Sequence, residues 1–268
     1  MPIVAVIGDG QLARMMQTSA IELGQSLRVL AGAPDSSAAQ VAADVVLGDY
    51  TNIDDLRVAI EGADVMTFDH EHVPNEHLHQ LIAEGVNVQP RPEALVNAQD
   101  KLVMRKRLRE LGAPVPPFAA IESVEDAVGF FEEVDGQVCL KARRGGYDGK
   151  GVWFPADVAE LQSLVAELLD GGTPLMAEKK VALNRELSAM VARTPSGETK
   201  AWPVVESVQK NGVCAEAIAP APELSAELQE STRGLAQKIA TELGVTGVLA
   251  VELFETLDQN GQPEIFVN

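Results

Sequence analysis

Residues 141–151 read KARRGGYDGKG, which puts four cations, four glycines and a Tyr-Asp pair into one short stretch of a chain whose formal net charge is −19. Gly145, Gly146, Gly149 and Gly151 offer closely spaced backbone N–H groups on a chain free to close over a ligand and exclude water. Lys141 ends the strand-like run VCLKA that feeds this loop, and Lys150 rides on the loop itself. Two amines so placed suit a polyphosphate whose leaving oxygen gains charge during transfer. The loop is not a P-loop, because no G-x-x-x-x-G-K-[ST] follows the strand. A hairpin with a solvated basic tip would have the same composition.

A second glycine loop lies at the N-terminus. Gly8-Asp9-Gly10-Gln11-Leu12-Ala13 follows the strand-like IVAVI and opens a helical pattern, so it fits the dinucleotide fingerprint and raises an NAD-dependent oxidoreductase as a rival. That chemistry also needs an acid at the end of the second strand to hold the ribose. The second strand ends VLAGAP, and Asp35 comes only after a glycine and a proline. The glycines and the helix N-terminal amides still suit a substrate phosphate; a tight turn with no ligand fits them too.

Three further groups carry possible chemistry. In AEKKVALNRE, Glu178, Val181 and Glu186 sit at a strand end where backbone groups could pair with an adenine edge and a carboxylate with ribose hydroxyls, although surface charges would look the same. Glu252 shares a strand face with Val248, Ala250 and Phe254 in VLAVELF. A carboxylate there is costly to bury without a cation such as magnesium; a surface-facing glutamate is the alternative. The four histidines, His70, His72, His77 and His79, cluster in HEHVPNEHLH, but His77 and His79 point apart on a helix and no fourth ligand completes a zinc set. FDHEHVP, at the end of a parallel strand, is better placed for substrate.

The elements that must position these residues change character along the chain. IVAVIG, SLRVLAG, ADVVLG and ADVMTF read as strands alternating with helical QLARMMQTSAIELG, NIDDLRVAIEG and NEHLHQLIAEG, which predicts a parallel sheet covered by helices. A second unit starts near residue 97 with a helix, for which Asn97 is the expected N-cap, Asp100 a first-turn acid and Gly112 the stop. After the proline-rich APVPP come strands VCLKA and PLMAEKKVA around a helix in PADVAELQSLVAELLDGG. Hairpins ELSAMVAR, KAWPVV and VCAEAI follow, then a helix over about 223–243, then TGVLAVELFE, turn DQNG and PEIFVN.

Composition narrows the classes. With 21 basic against 40 acidic residues and 4% aromatics, the chain is not built for general affinity to nucleic acid or anionic membrane. Phosphate must be met locally, and nine of the 21 cations lie in residues 101–109 and 141–150. A solvated helix face accounts for much of the first cluster. Cys139 and Cys214 sit in apolar runs with no pairing partner spacing and are expected as buried, reduced thiols. The start lacks a signal-peptide pattern and no apolar run reaches membrane length, so a cytoplasmic protein is expected.

Taken together, GDGQLARM, FDHEHVP, NAQDKL, KARRGGYDGKG and GVTGVLAVELF resemble the 5-(carboxyamino)imidazole ribonucleotide synthases, a family of ATP-grasp ligases, along the whole chain. Asp9 and Ala13 stand where the family commonly has glycines. The resemblance implies an α/β architecture: a Rossmann-like pre-ATP-grasp domain over residues 1–98, then an α+β ATP-grasp domain over 99–268 with a lid subdomain about 115–182 and an incomplete second subdomain about 183–268. It implies ATP-dependent carboxylation of 5-aminoimidazole ribonucleotide by bicarbonate through carboxyphosphate, in purine biosynthesis.

The same resemblance implies residue roles. Lys101 and Lys141 would contact ATP phosphates, and residues 146–152 (Gly146, Tyr147, Asp148, Gly149, Lys150, Gly151 and Val152) would form the lid loop. Glu178, Lys179, Lys180 and Val181 would form the adenine hinge, with Glu186 on the ribose and Gln209 a further nucleotide contact. Tyr147, Asp148 and Lys150 would meet the aminoimidazole or the bicarbonate as catalytic groups. Gly8, Gly10, Gln11 and Leu12, with Glu71 and His72, would hold the ribonucleotide. Glu252 would bind Mg2+. A second metal-binding glutamate is expected directly after an asparagine, and the chain stops at that asparagine, Asn268, itself an expected nucleotide contact; the family's C-terminal domain is expected to be missing. The implied partners are ATP, bicarbonate and the aminoimidazole ribonucleotide, with no nucleic acid or membrane, and a homodimer for the full-length protein. From the expected truncation follow weak ATP binding and little turnover. A sister ATP-grasp ligase acting on another carboxylate and a nucleotide-binding fragment without activity remain alternatives.

Overall fold

The computed structural model describes residues 1–146 and 150–268, which form two units, Met1–Leu95 and Val96–Asn268. Tyr147, Asp148 and Gly149 lie outside the described residues, and with them two of the three expected catalytic groups.

The first unit alternates strand and helix: β1 (Ile3–Ile7), α1 (Gln11–Glu22), β2 (Ser26–Ala31), β3 (Asp44–Leu47), α2 (Ile53–Ile60), β4 (Val65–Phe68), α3 (Asn75–Ala83) and the start of α4 (Pro92–Gln99). The strands pair in the order β3-β2-β1-β4, all parallel. Successive strand residues serve opposite faces. Val6 and Val29 pack with Ala13 and Ala20 of α1, whereas Ile7 and Leu30 pack with Leu56, Leu78 and Leu81 of α2 and α3. Two apolar layers therefore fix the register, and they align the carboxyl ends of β1 and β4, whose following loops carry Gly8, Gly10, Glu71 and His72.

The second unit contains two antiparallel sheets. β5 (Phe118–Ile121), α6 (Val124–Glu133), β6 (Val138–Ala142), β7 (Val152–Trp153), α7 (Val158–Asp170) and β8 (Leu175–Lys179) give a sheet in the order β5-β8-β6-β7. Phe130 of α6 and Leu161 and Val165 of α7 share one core with Leu140, Leu175 and Ala177 of that sheet. β9 (Leu183–Arg193), β10 (Thr199–Ala201), β11 (Val205–Lys210), β12 (Val213–Ile218), β13 (Gly247–Leu257) and β14 (Pro263–Val267) form the other, with β9 between β11 and β13. α8 (Ala226–Glu242) buries Thr232, Ala236, Ile239 and Ala240.

Two expectations need correction, and two elements were missed. The helix α5 (Lys101–Glu110) is capped by Asp100, whose carboxylate accepts from the N–H groups of Leu102 and Val103, while Asn97 belongs to α4. The aspartate wins because its carboxylate reaches two of the N-terminal donors a helix leaves unpaired. Cys139 is buried, but Cys214 is exposed, because β12 is the outer strand of its sheet and is exposed along most of its length. β5 and α6 escaped the sequence reading; α6 starts at Ser123, whose hydroxyl accepts from the Asp126 N–H.

Candidate functional site

A cavity of about 630 Å3 opens in the second unit, lined from both of its sheets. Lys101 reaches it from the first turn of α5, Lys141 from β6, Gly146, Lys150 and Val152 from the glycine loop and β7, and Glu178, Lys179, Lys180 and Val181 from the end of β8. Glu186 lines it from β9, Gln209 from β11, Glu252 from β13, and Asn268 from the end of the chain. Among the described residues, every expected nucleotide position faces this cavity except Gly151. The Gly151 carbonyl instead accepts from the Ala142 N–H at 2.8 Å and closes the base of the loop.

The cationic end is built around a buried carboxylate. Glu178 is 2% exposed, and it is bound on one side by the Arg105 guanidinium and on the other by the Lys141 ammonium at 2.7 Å. Burial pushes the Glu178 carboxyl up, but Arg105 and Lys141 together pull it below the ordinary glutamate value. At the neighbouring Cys139 thiol the same cations act in the same direction, but burial outweighs them. Burial raises it to about 11, so it is held as a neutral thiol.

Two of the four cations in KARRGGYDGKG do not serve the cavity. Arg143 donates to both oxygens of Asp100, at 3.1 and 2.8 Å, and Arg144 donates to it at 3.2 Å. Asp100 thus joins the start of the Lys101 helix to the segment that follows Lys141, and the Lys101 N–H donates to the Arg143 carbonyl at 2.9 Å. The basic tip is in part a structural clamp. Conversely, residues 101–109 are not simply a solvated face: Arg105 is 1% exposed.

The acidic end lies across the cavity. Val251 and Leu253 of β13 are buried, and Glu252 is exposed on the opposite face, as the alternation predicts. The Asn268 N–H donates to the Glu252 carbonyl at 2.8 Å, and the Asn268 side-chain amide lies 3.4 Å from the Glu252 carboxylate. Burial raises the Glu186 carboxyl above its ordinary value, and the Glu252 charge raises it further. Glu252 and the side-chain oxygen of Asn268 are the hard oxygen donors that a divalent cation prefers, so they would suit one.

In the first unit, the carboxyl ends of β1 and β4 meet around Asp69. Gly8 has φ +122°, and a Cβ built there would lie 1.6 Å from Asp69 Oδ1. The Gly10 N–H donates to Asp69 Oδ2 at 2.8 Å. This amide of the expected phosphate loop is therefore satisfied within the protein. Gln11 and Leu12 are exposed at the start of α1. Glu71 and His72 follow β4, where the His72 N–H donates to His70 Nδ1 at 3.1 Å and the His70 ring lies 4.6 Å from that of Tyr50. Burial lowers the His70 imidazole below its ordinary value.

Sequence reading passed over Arg105, Asp69 and Phe154, and gave Asp100 only a first-turn role. For Arg105 a signal existed: Leu102, Arg105 and Leu108 recur at i, i+3 and form the buried face of α5. Phe154 lines the cavity and carries the Lys180 ammonium 5.3 Å from its ring centre, a contact that spacing alone does not reveal.

Comparison with known proteins accords with this arrangement. Residues 106–268 match the ATP-grasp domain, and residues 1–99 match the ribonucleotide synthetase preATP-grasp domain. The N5-carboxyaminoimidazole ribonucleotide synthase of Corynebacterium ammoniagenes is 68% identical over 268 residues, spanning 100% of this chain and 65% of the relative's length. The crystal structure of N5-carboxyaminoimidazole ribonucleotide synthetase from Thermus thermophilus superposes with a TM-score of 0.89 at 31% identity, covering 99% of this chain and 69% of that one. The Aspergillus clavatus enzyme, crystallised with ADP and 5-aminoimidazole ribonucleotide, gives a TM-score of 0.86 at 26% identity over 100% of this chain and 68% of its own. The chain therefore belongs to the N5-carboxyaminoimidazole ribonucleotide synthase family of ATP-grasp proteins.

Proposed function

We propose that the second unit binds ATP in the 630 Å3 cavity and that the chain serves the ATP-dependent carboxylation of 5-aminoimidazole ribonucleotide. The single observation that carries this reading is the cavity's polarity. Lys101, Lys141 and Lys150 line it from α5, β6 and the glycine loop, Glu186 and Glu252 from β9 and β13, with Phe154, Leu183 and Phe254 among its apolar lining. A triphosphate needs that division: amines for its oxygens, carboxylates for a bound cation and for ribose hydroxyls.

In the reaction we infer, a bicarbonate oxygen attacks the γ-phosphorus and the bond to the β-phosphate oxygen breaks. ADP leaves and carboxyphosphate forms. The exocyclic amine then takes the carboxyl group, directly or by way of carbon dioxide, and phosphate leaves. Lys101 and Lys141 hold the phosphates, and Lys150 with Tyr147 and Asp148 meets the bicarbonate or the imidazole. Lys179, Lys180 and Val181 with Glu178 face the adenine, Glu186 the ribose, and Gln209 the nucleotide; Gly146, Gly149, Gly151 and Val152 shape the covering loop. Glu252 and Asn268 would hold Mg2+, which neutralises phosphate charge when bound. In the first unit, Gly8, Gly10, Gln11, Leu12, Glu71 and His72 hold the ribonucleotide; the complex reported for the Aspergillus clavatus enzyme supports that class of ligand. We assign the protein to the cytoplasm and to a homodimer. No helix among the described residues is long and apolar enough to cross a membrane.

The test is ADP release by this chain with ATP and magnesium. Release should rise when 5-aminoimidazole ribonucleotide and bicarbonate are added together and stay at background with formate. Release driven equally by formate, or tight NADH binding with no response to ATP, would overturn the reading.

A further inference from the structure

Arg105 lies outside the cavity lining, whereas its partner Glu178 and Glu178's other partner Lys141 both line it. The three side chains are 1%, 3% and 9% exposed, so their charges interact with little screening by water. Lys141 and Glu178 alone would make a neutral pair, with the amine's charge spent on the carboxylate. With Arg105 the group carries two cations against one anion, and one positive charge remains to face the cavity.

Buried ion pairs are seldom kept for stability, since apolar residues of similar volume often do as well. Arg105 is also imperfectly satisfied, because its Nη1 is buried without a hydrogen-bond partner. The site accepts that cost while Leu102 and Leu108 on the same helix face pack as ordinary core.

We infer that Arg105 is a positioning residue that neutralises Glu178, so that the Lys141 ammonium is held in place yet keeps its charge for a phosphate oxygen. This deepens the nucleotide reading given above and rests on it. Arg105 touches neither nucleotide nor metal. Its effect passes through one carboxylate to one amine and is felt by phosphates, not by the base.

Comparing ATP with adenosine tests this, because a distorted hinge would weaken both ligands and a lost phosphate charge only one. Titration calorimetry of this chain is expected to show Arg105→Met weakening ATP at least tenfold while adenosine stays within twofold. Arg105→Lys, which keeps the cation, should return ATP to within about threefold. In the Lys141→Met background, adding Arg105→Met should cost less than twofold more. Equal losses for ATP and adenosine, or an unchanged ATP affinity, would overturn the inference. Should the methionine variant fail to fold, Arg105→Gln, which keeps a donor to Glu178 without the charge, decides the matter: unaltered ATP binding in that variant refutes it. If the unsubstituted chain binds adenosine but not ATP, or neither, the nucleotide reading itself has failed; ATP binding that ignores Arg105 leaves that reading standing and removes only this one.

Discussion

Two glycine loops follow strands in this chain, and glycine stands in them for opposite reasons. At Gly8 the place of a side chain is already taken: the Asp69 carboxylate would lie 1.6 Å from a Cβ, and the same carboxylate accepts from the Gly10 N–H. At Gly145, with φ +72°, nothing lies within 4 Å of the equivalent position. Glycine there serves backbone conformation alone. At Gly8, glycine lets protein pack on protein, while Gln11 and Leu12 of the same loop are exposed. The second loop leaves open space at Gly145, whereas a Cβ at Gly146 would lie 2.7 Å from the Lys150 carbonyl, and its base is held by the Ala142–Gly151 hydrogen bond and the Asp100–Arg143 ion pair. A shared motif grammar therefore hides two reasons for glycine, a place taken by protein at Gly8 and a backbone conformation at Gly145.

Substituting the two glycines by alanine is the most severe way to break this comparison. Gly8→Ala must displace Asp69 and adopt a positive φ, so unfolding of the first unit should become easier by about 3 kcal/mol. Gly145→Ala meets only the conformational penalty, about 1 kcal/mol. Urea denaturation followed by hydrogen exchange in each unit measures both. Equal losses would show that the two loops are built alike.

The next effect is on binding. Lys141→Met removes the amine from Glu178 and from any phosphate, so ATP affinity should fall about thirtyfold, roughly 2 kcal/mol for a charge-assisted contact. Asp69→Asn, at the other loop, should leave ATP affinity of the chain within twofold. Should Asp69→Asn weaken ATP as much as Lys141→Met does, the division of labour between the loops is wrong. A smaller effect is expected from Asp100→Asn. It keeps a capping oxygen but loses the charge that holds Arg143 and Arg144, so ATP should weaken about threefold with little change in the melting of α5. Calorimetry and far-ultraviolet circular dichroism separate the two parts of that statement.

How much of this was legible depends on whether a residue's role is local. The alternating strands and helices of the first unit came through, because each strand shows its own apolar run and each helix its own period. The facing of Glu252 away from Val251 and Leu253 followed from strand alternation alone. β5 and α6 were missed, since FAAI is too short to stand out and its pairing with β8 is long-range. Asp100 was placed one role away from its true one; cap and first-turn acid differ by a few positions, and the arginines that settle the matter lie more than forty residues on. Asp69 could not be found from the Gly8 loop at all. The cause of that glycine sits just past the end of a different strand, and only the parallel pairing of β1 with β4 brings the two together.

The subtlest test concerns the acidic end of the open site, where two carboxylates share one cavity. Glu186 is raised chiefly by burial and secondarily by the charge of Glu252. Glu252→Gln removes only the second cause. The Glu186 carboxyl, followed by carbon-detected NMR titration, should therefore move down yet stay above the ordinary 4.5. The sign for stability follows. A carboxyl that holds its proton more tightly folded than unfolded loses stability as pH rises from 4.5 through the raised value. Glu252→Gln should shrink that loss, and a divalent cation bound by Glu252 should shrink it in the same direction by offsetting the same negative charge. If Glu186 returns fully to 4.5 in the variant, repulsion and not burial sets it. The strand face would then be wetter than its packing indicates, and the contrast between the crowded place at Gly8 and an open, charged site would weaken at the end where the metal is expected to bind.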